Sequence, residues 1–374
     1  MISFQPREEE REFVQVARRL ATKIRQQGQN MKADSKVWKR FVTEVEAVGL
    51  LEMEAPTFYG GLEMPLLSQV LVYEALAYGN LAIVQSFPGL NDGASFLRAC
   101  HERGQKILLP ETEEKLRTVA WVDHRFPSGE LHLERKGNRY FLSGRTYPVR
   151  LGAIATDLIL AVYDQEEVLH LFWLNHGENR WQIERAEDYL GLKEAQLARI
   201  SFQDEEVGRE QILAKGKEAE VFLRRARKRI HLIQASKALG LMQAAVDFAT
   251  AYTAERQAFG RPIASFQGVS FKVAQMVIET RVVRNLLLQA AWAIDEGKQE
   301  AEGYSLRAIH RAHRGVRFVT DSAVQLLGGH GYVRDYPVEK WMRDAQAQVL
   351  LYGKEDDFLI ERGRDIVSKV KGRG

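Results

Sequence analysis

The chain has 374 residues, of which 45% are hydrophobic and 28% are charged, and its formal net charge is +3 from 53 basic and 50 acidic groups. This length exceeds what one hydrophobic core usually serves, so two or three domains are expected. The charge is too evenly balanced to indicate nucleic-acid binding by itself. The only cysteine, Cys100, excludes an internal disulfide and fits a reducing compartment.

No targeting or membrane segment is expected. Residues 1–11 are polar and acidic, and they lack the basic start and apolar run of a signal peptide. The longest apolar candidate, residues 286–294, is far shorter than the ~18–20 residues of a membrane span. We therefore expect a cytoplasmic protein without a membrane span.

The first part of the chain has the apolar spacing of helices. Apolar residues recur at helical intervals in residues 13–24, 38–48 and 67–77, and Pro110 closes the region. We assign residues 1–115 to an N-terminal helical domain.

The pattern then changes to short runs rich in β-branched and aromatic residues. Residues 158–163 and 168–174 are examples, and turn residues such as Gly137-Asn138 separate such runs. Residues 116–213 are therefore predicted to form a middle β domain, a barrel or a sandwich.

Long helical segments return in the last part of the chain. They cover residues 218–256, 266–296 and 301–327, with short breaks between them, and a last segment starts near Glu355. Long helices with short connections favour an antiparallel four-helix bundle. We assign residues 214–374 to this C-terminal bundle, which makes the chain an α+β multidomain protein.

Sequence motifs occur in both helical parts. Residues 255–267 read Glu-Arg-Gln-Ala-Phe-Gly-Arg-Pro-Ile-Ala-Ser-Phe-Gln, and residues 325–332 read Gln-Leu-Leu-Gly-Gly-His-Gly-Tyr. Residues 336–345 read Tyr-Pro-Val-Glu-Lys-Trp-Met-Arg-Asp-Ala. Together with residues 56–61 and 104–110, these strings resemble, in order, those of the acyl-CoA dehydrogenase superfamily. The helix–β–helix order agrees with the fold of that family.

The resemblance implies an FAD site. Arg256, Phe259 and Gln267 would hold the pyrophosphate and adenosine side of FAD, and a forked guanidinium suits a pyrophosphate. The FAD of a neighbouring subunit would contact three further residues of this chain, Gln325, Gly328 and Gly329. Taken singly, Arg256 could instead be a charge at a helix end and the glycine pair a helix C-cap.

The resemblance also implies an activity and partners. The nominal reaction is α,β-dehydrogenation of an acyl-CoA thioester, with an electron acceptor for the reduced flavin and a homodimer or homotetramer as the assembly. The alternatives are a relative with oxygenase or oxidase chemistry and a flavin- or CoA-binding relative without catalysis.

The usual catalytic glutamate is missing. In the family it follows Arg-Asp-Ala, in Tyr-Glu-Gly-Thr. Here, aligning the glycine of that string with Gly353 puts Tyr352 at the glutamate position, and aligning its tyrosine with Tyr352 puts Gly353 there; neither is a carboxylate. A tyrosine, with a reference pKa near ~10, is a poor base at neutral pH. The second location of the base in the family falls on Ile230, and the arginine beside it falls on His231.

No catalytic residue is therefore assigned from the sequence. A displaced base would have to come from nearby carboxylates, which could instead be solvated charges at a helix start. The candidates are Glu355, Asp356 and Asp357.

The contacts to the flavin ring have also changed. The family's Thr-Glu-Pro string falls near Val122-Asp123-His124, and its Lys-x-Trp-Ile-Thr string falls near residues 146–150. Val122 has no side-chain hydroxyl, Pro148 has no indole, and Arg150 closes the second string.

Two basic features suggest other partners. Residues 224–231 read Arg-Arg-Ala-Arg-Lys-Arg-Ile-His without interleaved aromatics, so we expect ion pairs or CoA phosphates and not nucleic acid. His310 and His313 are three residues apart but lack further ligands, so no metal site is expected. The acidic partners predicted for the basic run are Glu205, Glu206, Glu218 and Glu220.

Overall fold

The computed structural model describes residues 8–27, 32–109, 116–123, 130–137, 139–184 and 188–371. Helices, then two β-sheets, then a helical bundle follow one another along the chain, as the sequence predicts. Pro110, His124 and Asn138, used above for a boundary, a ring contact and a turn, lie outside the described residues.

The N-terminal helices are amphipathic or buried, as their apolar spacing requires. Helix α2 starts where the Ser35 hydroxyl accepts a hydrogen bond from the Trp38 N–H, at 3.2 Å, which satisfies one of the free N–H groups at a helix start. The helices are α1 (Glu8–Gln26), α2 (Lys36–Ala47), α3 (Leu66–Gln85) and α4 (Asp92–His101).

The middle region is a sandwich of two four-stranded sheets. The first sheet has the order β1-β4-β5-β8 and the second β2-β3-β7-β6. The strands are β1 (Val119–Val122), β2 (His132–Lys136), β3 (Arg139–Arg145), β4 (Asp157–Tyr163), β5 (Leu169–Asn175), β6 (Gln182–Glu184), β7 (Arg199–Val207) and β8 (Ile212–Lys215).

The first sheet is covered on both faces. Phe172 packs on one face, in the core between the two sheets, and Trp173 packs on the other, in a core cluster that includes Phe96 of α4. Burial on both faces explains why β4 and β5 read as continuous apolar runs.

The C-terminal part is built from long helices. They are α5 (Gly216–Glu255), α6 (Gln267–Asp295), α7 (Ala301–Leu327), α8 (Val338–Gln348) and α9 (Glu355–Lys371). Between α5 and α6 lies a two-residue hairpin, β9 (Gln257–Ala258) and β10 (Arg261–Pro262). Helix α3 shares the core of these helices. The domain limits at residues 115 and 213 stay predictions.

Helix α3 meets the length and composition of a membrane span, which the sequence analysis missed. It is the only such helix among the described residues, and 72% of its most apolar window is buried inside the protein. Helices α1 and α5 pack against it, and a helix in a protein core is packed in the same way.

Helices α3 and α5 approach so closely at Gly240 that no side chain fits between them. A Cβ there would lie 2.3 Å from the Glu74 carbonyl oxygen and 2.8 Å from the Tyr78 nitrogen. We expect Gly240→Ala to destabilise the protein by about 1–3 kcal/mol, because the two backbones would have to separate.

Gly363→Ala is the matched control for that substitution. Gly363 lies within α9 with no atom near its added Cβ, so alanine there should be neutral or stabilising by up to about 1 kcal/mol. Thermal unfolding of both variants checks the difference, and equal midpoints would contradict the close approach.

Candidate active site

The hairpin after α5 presents the first set of sequence-predicted FAD residues. Strands β9 and β10 pair with a two-residue turn, Phe259-Gly260, in which both residues have positive φ, 50° and 77°. This is the tight turn that strand twist favours, but phenylalanine is an uncommon residue for it. The Phe259 ring is 95% exposed and touches Phe266 edge-on.

Arg256 and Gln267 flank this hairpin with exposed side chains. The Ile263 N–H donates to the Arg256 carbonyl oxygen at 2.8 Å, which closes the hairpin at its base. The structure therefore holds an arginine, an aromatic ring and an amide on one segment, from Arg256 to Gln267, between α5 and α6. An exposed ring on a strained backbone is a feature expected of a ligand or partner surface.

The second set of predicted FAD residues lies at the end of α7. Gln325, Gly328 and Gly329 are exposed, and no atom lies within 4 Å of a Cβ built on either glycine. The Tyr252 hydroxyl of α5 hydrogen-bonds the His330 Nδ1 at 2.8 Å. This contact places the glycine turn beside the end of α5, close to the hairpin.

Tyr352, at the usual position of the base, is locked in a buried cluster. Its hydroxyl donates to the Asp92 carboxylate at 2.7 Å and accepts from Arg150 Nε at 2.6 Å. Burial raises the pKa of Tyr352 well above its ordinary value, and Asp92 raises it further although Arg150 opposes this. The phenol is therefore a neutral hydrogen-bond donor, not a base.

Arg150 joins the β-sandwich to the helices. Besides Tyr352, it donates to the Asp92 carboxylate at 2.9 Å and to the Gln85 carbonyl oxygen at 3.1 Å. Burial alone would raise the pKa of Asp92, but Arg150 keeps it below its ordinary value. The pair is thus ionised, and the Asp92 carboxylate is a weak proton acceptor.

Three glutamines and a lysine extend this cluster. The Gln85 amide donates to Gln234 Oε1 at 2.7 Å and to Gln348 Oε1 at 2.6 Å, and its own oxygen accepts from Lys237 Nζ at 3.1 Å. All four side chains are buried. We use the name interior cluster for Gln85, Asp92, Arg150, Gln234, Lys237, Gln348 and Tyr352.

The displaced-base candidates lie at the start of α9. Glu355 forms ion pairs with Arg317 and, at 3.5 Å, with Arg314 of α7. Asp357 accepts a hydrogen bond from the Lys354 N–H, and Asp356 is exposed. Each carboxylate thus has a structural or solvated environment, although their catalytic role stays a prediction.

The second location of the base is closed as well. Ile230 is fully buried, and His231 packs edge-on against Phe358 with ring centroids 5.2 Å apart.

Within the described residues, ion pairs join the basic run on α5 to acids other than those predicted from the sequence. Arg227 binds Asp123 at 2.9 Å, and Arg229 binds Glu54 at 2.8 Å. These partners come from β1's end and the loop before α3, because tertiary packing and not sequence proximity selects them. Arg225 and Arg224 pair with Glu102 and Glu302.

The ring-contact positions have moved into the interior. Val122 is buried between the two sheets, and Arg150 belongs to the interior cluster. The neighbouring Trp121 stacks on Tyr352 with ring centroids 6.1 Å apart. Its buried indole N–H has no acceptor among the described residues, which is the mark of an unfilled polar site.

A chain with this helical–β–helical order has the fold of solved acyl-CoA dehydrogenase structures. The family pattern "Acyl-CoA dehydrogenase, N-terminal domain" matches residues 7–112, and "Acyl-CoA dehydrogenase, C-terminal domain" matches residues 226–357. The chain belongs to the acyl-CoA dehydrogenase superfamily. It is an acyl-CoA dehydrogenase-like protein of a flavoprotein family.

Individual relatives agree with this membership. Cyclohex-1-ene-1-carbonyl-CoA dehydrogenase of Geobacter metallireducens is 27% identical over 339 residues, which are 86% of this chain and 87% of the relative. The short-chain-specific acyl-CoA dehydrogenase of Megasphaera elsdenii is 32% identical over 232 residues, 60% of this chain and 59% of the relative. The butyryl-CoA dehydrogenase structure from the same organism has a TM-score of 0.83 at 23% identity, covering 98% of this chain and 100% of that one.

Sequence reasoning missed most of the interior cluster. It singled out Arg150 and Tyr352 but not Asp92, Lys237 or the three glutamines. The sequence did contain a usable signal, because Gln85 and Lys237 interrupt apolar helical faces. A polar side chain on such a face is rarely buried unless it has hydrogen-bond or ion-pair partners. Among the described residues, no cluster of His, Cys, Asp or Glu could hold a metal ion.

Proposed function

We propose that the chain is an FAD-dependent flavoprotein that acts on an acyl-CoA thioester, with α,β-dehydrogenation as its nominal reaction. The observation that carries the proposal is the exposed hairpin, where Arg256 and Gln267 flank a 95% exposed Phe259 ring. A guanidinium beside an aromatic face suits the pyrophosphate and adenine of a dinucleotide.

The residues present fit FAD in two respects. The glycine turn at Gly328 and Gly329 leaves its surface open to a close backbone approach. The indole of Trp121 is stacked on Tyr352, and its buried N–H has no acceptor within the part of the chain that the structure describes; a flavin carbonyl or ring nitrogen could supply one. Arg256, Phe259 and Gln267 would hold the cofactor, with Gln325, Gly328 and Gly329 of a second copy. FAD, when bound, supplies a hydride acceptor.

The residues of the chain would then position the substrate and exclude water. Arg150 connects the β-sandwich to the helices by hydrogen bonds, so it would fix the position of these parts around the proposed substrate site. The proposed assembly is a homodimer or homotetramer in the cytoplasm, and an electron acceptor would reoxidise the flavin.

A relative without dehydrogenation is the second candidate. It is favoured by Tyr352, whose hydroxyl is committed to Asp92 and Arg150 and so cannot take the place of the missing glutamate. Under this reading the protein binds flavin or CoA and performs oxygenase or oxidase chemistry, or none.

Arg256→Met tests the cofactor site. We expect it to weaken FAD binding by about 10-fold to 100-fold, because a charge-assisted contact to a phosphate contributes about 1.5–3 kcal/mol. FAD titration followed by flavin fluorescence measures the effect. Arg281→Met, an exposed arginine of α6, is the control and should bind FAD as the unaltered protein does.

Two results would overturn parts of this proposal. A purified protein that shows no flavin spectrum after FAD is added would contradict every flavin function. A flavin-loaded protein that butyryl-CoA and longer acyl-CoA thioesters fail to bleach would reject dehydrogenation in favour of the second candidate.

A further inference from the structure

Lys237 of α5 has an unusual environment for a lysine. Only 3% of its surface is exposed. Its amine faces Gln85 and Tyr73 from α3. The charged groups that act on it are Asp92 of α4 and Arg150 after β3, and Tyr352 after α8 hydrogen-bonds both of these.

The hydrogen bonds around this amine do not suit an ammonium ion. An ammonium has three N–H donors, but Lys237 Nζ has one hydrogen-bond acceptor among the described residues, Gln85 Oε1 at 3.1 Å. The Gln85 amide cannot turn to offer more, because its nitrogen donates to Gln234 and Gln348.

No carboxylate among the described residues forms an ion pair with Lys237. Asp92 already binds Arg150 and the Tyr352 hydroxyl. The face of the Tyr73 ring lies 5.0 Å from Nζ, and such a contact favours a cation by only about 0.5–2 kcal/mol. Burial lowers the pKa of Lys237 well below its ordinary value, and the Arg150 guanidinium lowers it further although Asp92 opposes this.

We propose that Lys237 is an uncharged amine in the folded protein and serves as the proton acceptor of the interior cluster, in place of the missing glutamate. This inference rests on the proposed thioester substrate but not on the flavin. Among the cluster's titratable groups, Tyr352 is a neutral donor and Asp92 is ion-paired, which leaves the amine with an available lone pair.

The proposed step balances without an oxidant. The Nζ lone pair takes a proton from the α-carbon of the thioester, the amine becomes an ammonium, and the electron pair of the broken C–H bond passes to the thioester as an enolate. The bound acyl group must displace the Gln85 amide from Nζ for this contact to form. Return of a proton from the ammonium restores the thioester.

The charge on Lys237 can be measured directly. In protein labelled with [ε-¹³C]lysine, the signal that disappears in Lys237→Met should have the chemical shift of an uncharged amine at about pH 8, where a lysine in water is charged. An ammonium shift at that pH would overturn the inference.

Proton abstraction can be measured separately from redox chemistry. Butyryl-CoA incubated with the protein in D₂O should gain deuterium at its α-carbon, followed by mass spectrometry. We expect Lys237→Met to slow this exchange at least about 100-fold, the usual contribution of a general base. Lys217→Met, an exposed lysine at the start of the same helix, should exchange like the unaltered protein.

The outcomes separate this inference from the proposed function. Exchange without flavin bleaching would reject dehydrogenation and keep the Lys237 inference. An unaltered protein without exchange, or a Lys237→Met variant that exchanges normally, would overturn it. Circular dichroism checks that the variant folds, and Lys237→Gln, which retains a polar group, serves if the methionine variant does not.

Discussion

Arg150→Met is expected to destabilise the protein by about 3–5 kcal/mol, the range found when one partner of a buried ion pair is removed. The Arg150 guanidinium is the only cation within hydrogen-bond distance of the Asp92 carboxylate among the described residues. Its loss leaves the buried Asp92 carboxylate without an ion-pair partner and breaks the contact to Tyr352. Because Arg150 links the β-sandwich to α3, α4 and the segment after α8, unfolding of the whole chain should respond.

Thermal unfolding with two comparison variants separates this cause from a general loss of arginine. Arg139→Met removes an exposed ion pair with Glu206, so it should change stability by less than about 1 kcal/mol. Adding Asp92→Asn to Arg150→Met removes the uncompensated charge and should recover part of the loss. If Arg150→Met unfolds at the same temperature as Arg139→Met, or if the double variant is no more stable than Arg150→Met alone, the Arg150–Asp92 pair does not contribute the expected stability.

The order of helices and sheets was predictable because it depends on local patterns. Apolar spacing distinguishes a helix such as α2 from strands such as β4 and β5, and no long-range information is required. The prediction that Tyr352 stands at the position of the family's catalytic glutamate also depends on local information, since it needs only the neighbouring Arg343-Asp344-Ala345 string.

The environment of that tyrosine was not predictable by the same means. Tyr352 contacts Asp92 and Arg150, which lie 260 and 202 residues away along the chain. Periodicity identifies the face on which a residue lies but not the partner that this face meets. The partners of the basic run of α5 were not predictable for the same reason, since Arg229 pairs with Glu54 from the N-terminal part.

The tertiary contacts of Tyr352 bear on whether another carboxylate could replace the family's catalytic glutamate. If Tyr352 were the only change, it would leave a space in which another carboxylate could act. In the structure Tyr352, Asp92 and Arg150 satisfy one another's hydrogen bonds, so these three side chains form one unit. Reversing the substitution alone, with Tyr352→Glu, would put a second carboxylate beside Asp92, where like charges disfavour ionisation of both.

His313 should make the protein sensitive to acid from pH ~6.5 downwards, so the loss of stability begins above the range in which carboxylates ordinarily titrate. The imidazole is buried in α7 beside the Phe358 ring, and its Nδ1 has no partner among the described residues. Burial, with smaller contributions from Arg317 and His310, lowers the pKa of His313 to about 3. An unfolded chain binds this proton near the reference pKa of ~6.5.

The direction of the effect follows from these two values. Above pH ~6.5 neither state binds the proton, so His313 contributes nothing to the pH dependence of stability. As the pH falls from ~6.5 towards 3, the unfolded state binds a proton that the folded state does not bind, so the free energy of unfolding falls. At about 1.36 kcal/mol per pH unit, the loss is about 2 kcal/mol at pH 5 and on the order of 4–5 kcal/mol at pH 3.

His313→Leu should remove this acid sensitivity while leaving stability near pH 8 nearly unchanged, because the neutral imidazole makes few hydrogen bonds that leucine would forfeit. The measurement is the difference between the thermal midpoints at pH 8 and pH 5, which should shrink in the variant. His132→Leu, at an exposed position of β2, should keep the difference of the unaltered protein. A His313→Leu variant with an unchanged difference would mean that the α7–α9 interface admits a charged imidazole, contrary to its packing against Phe358.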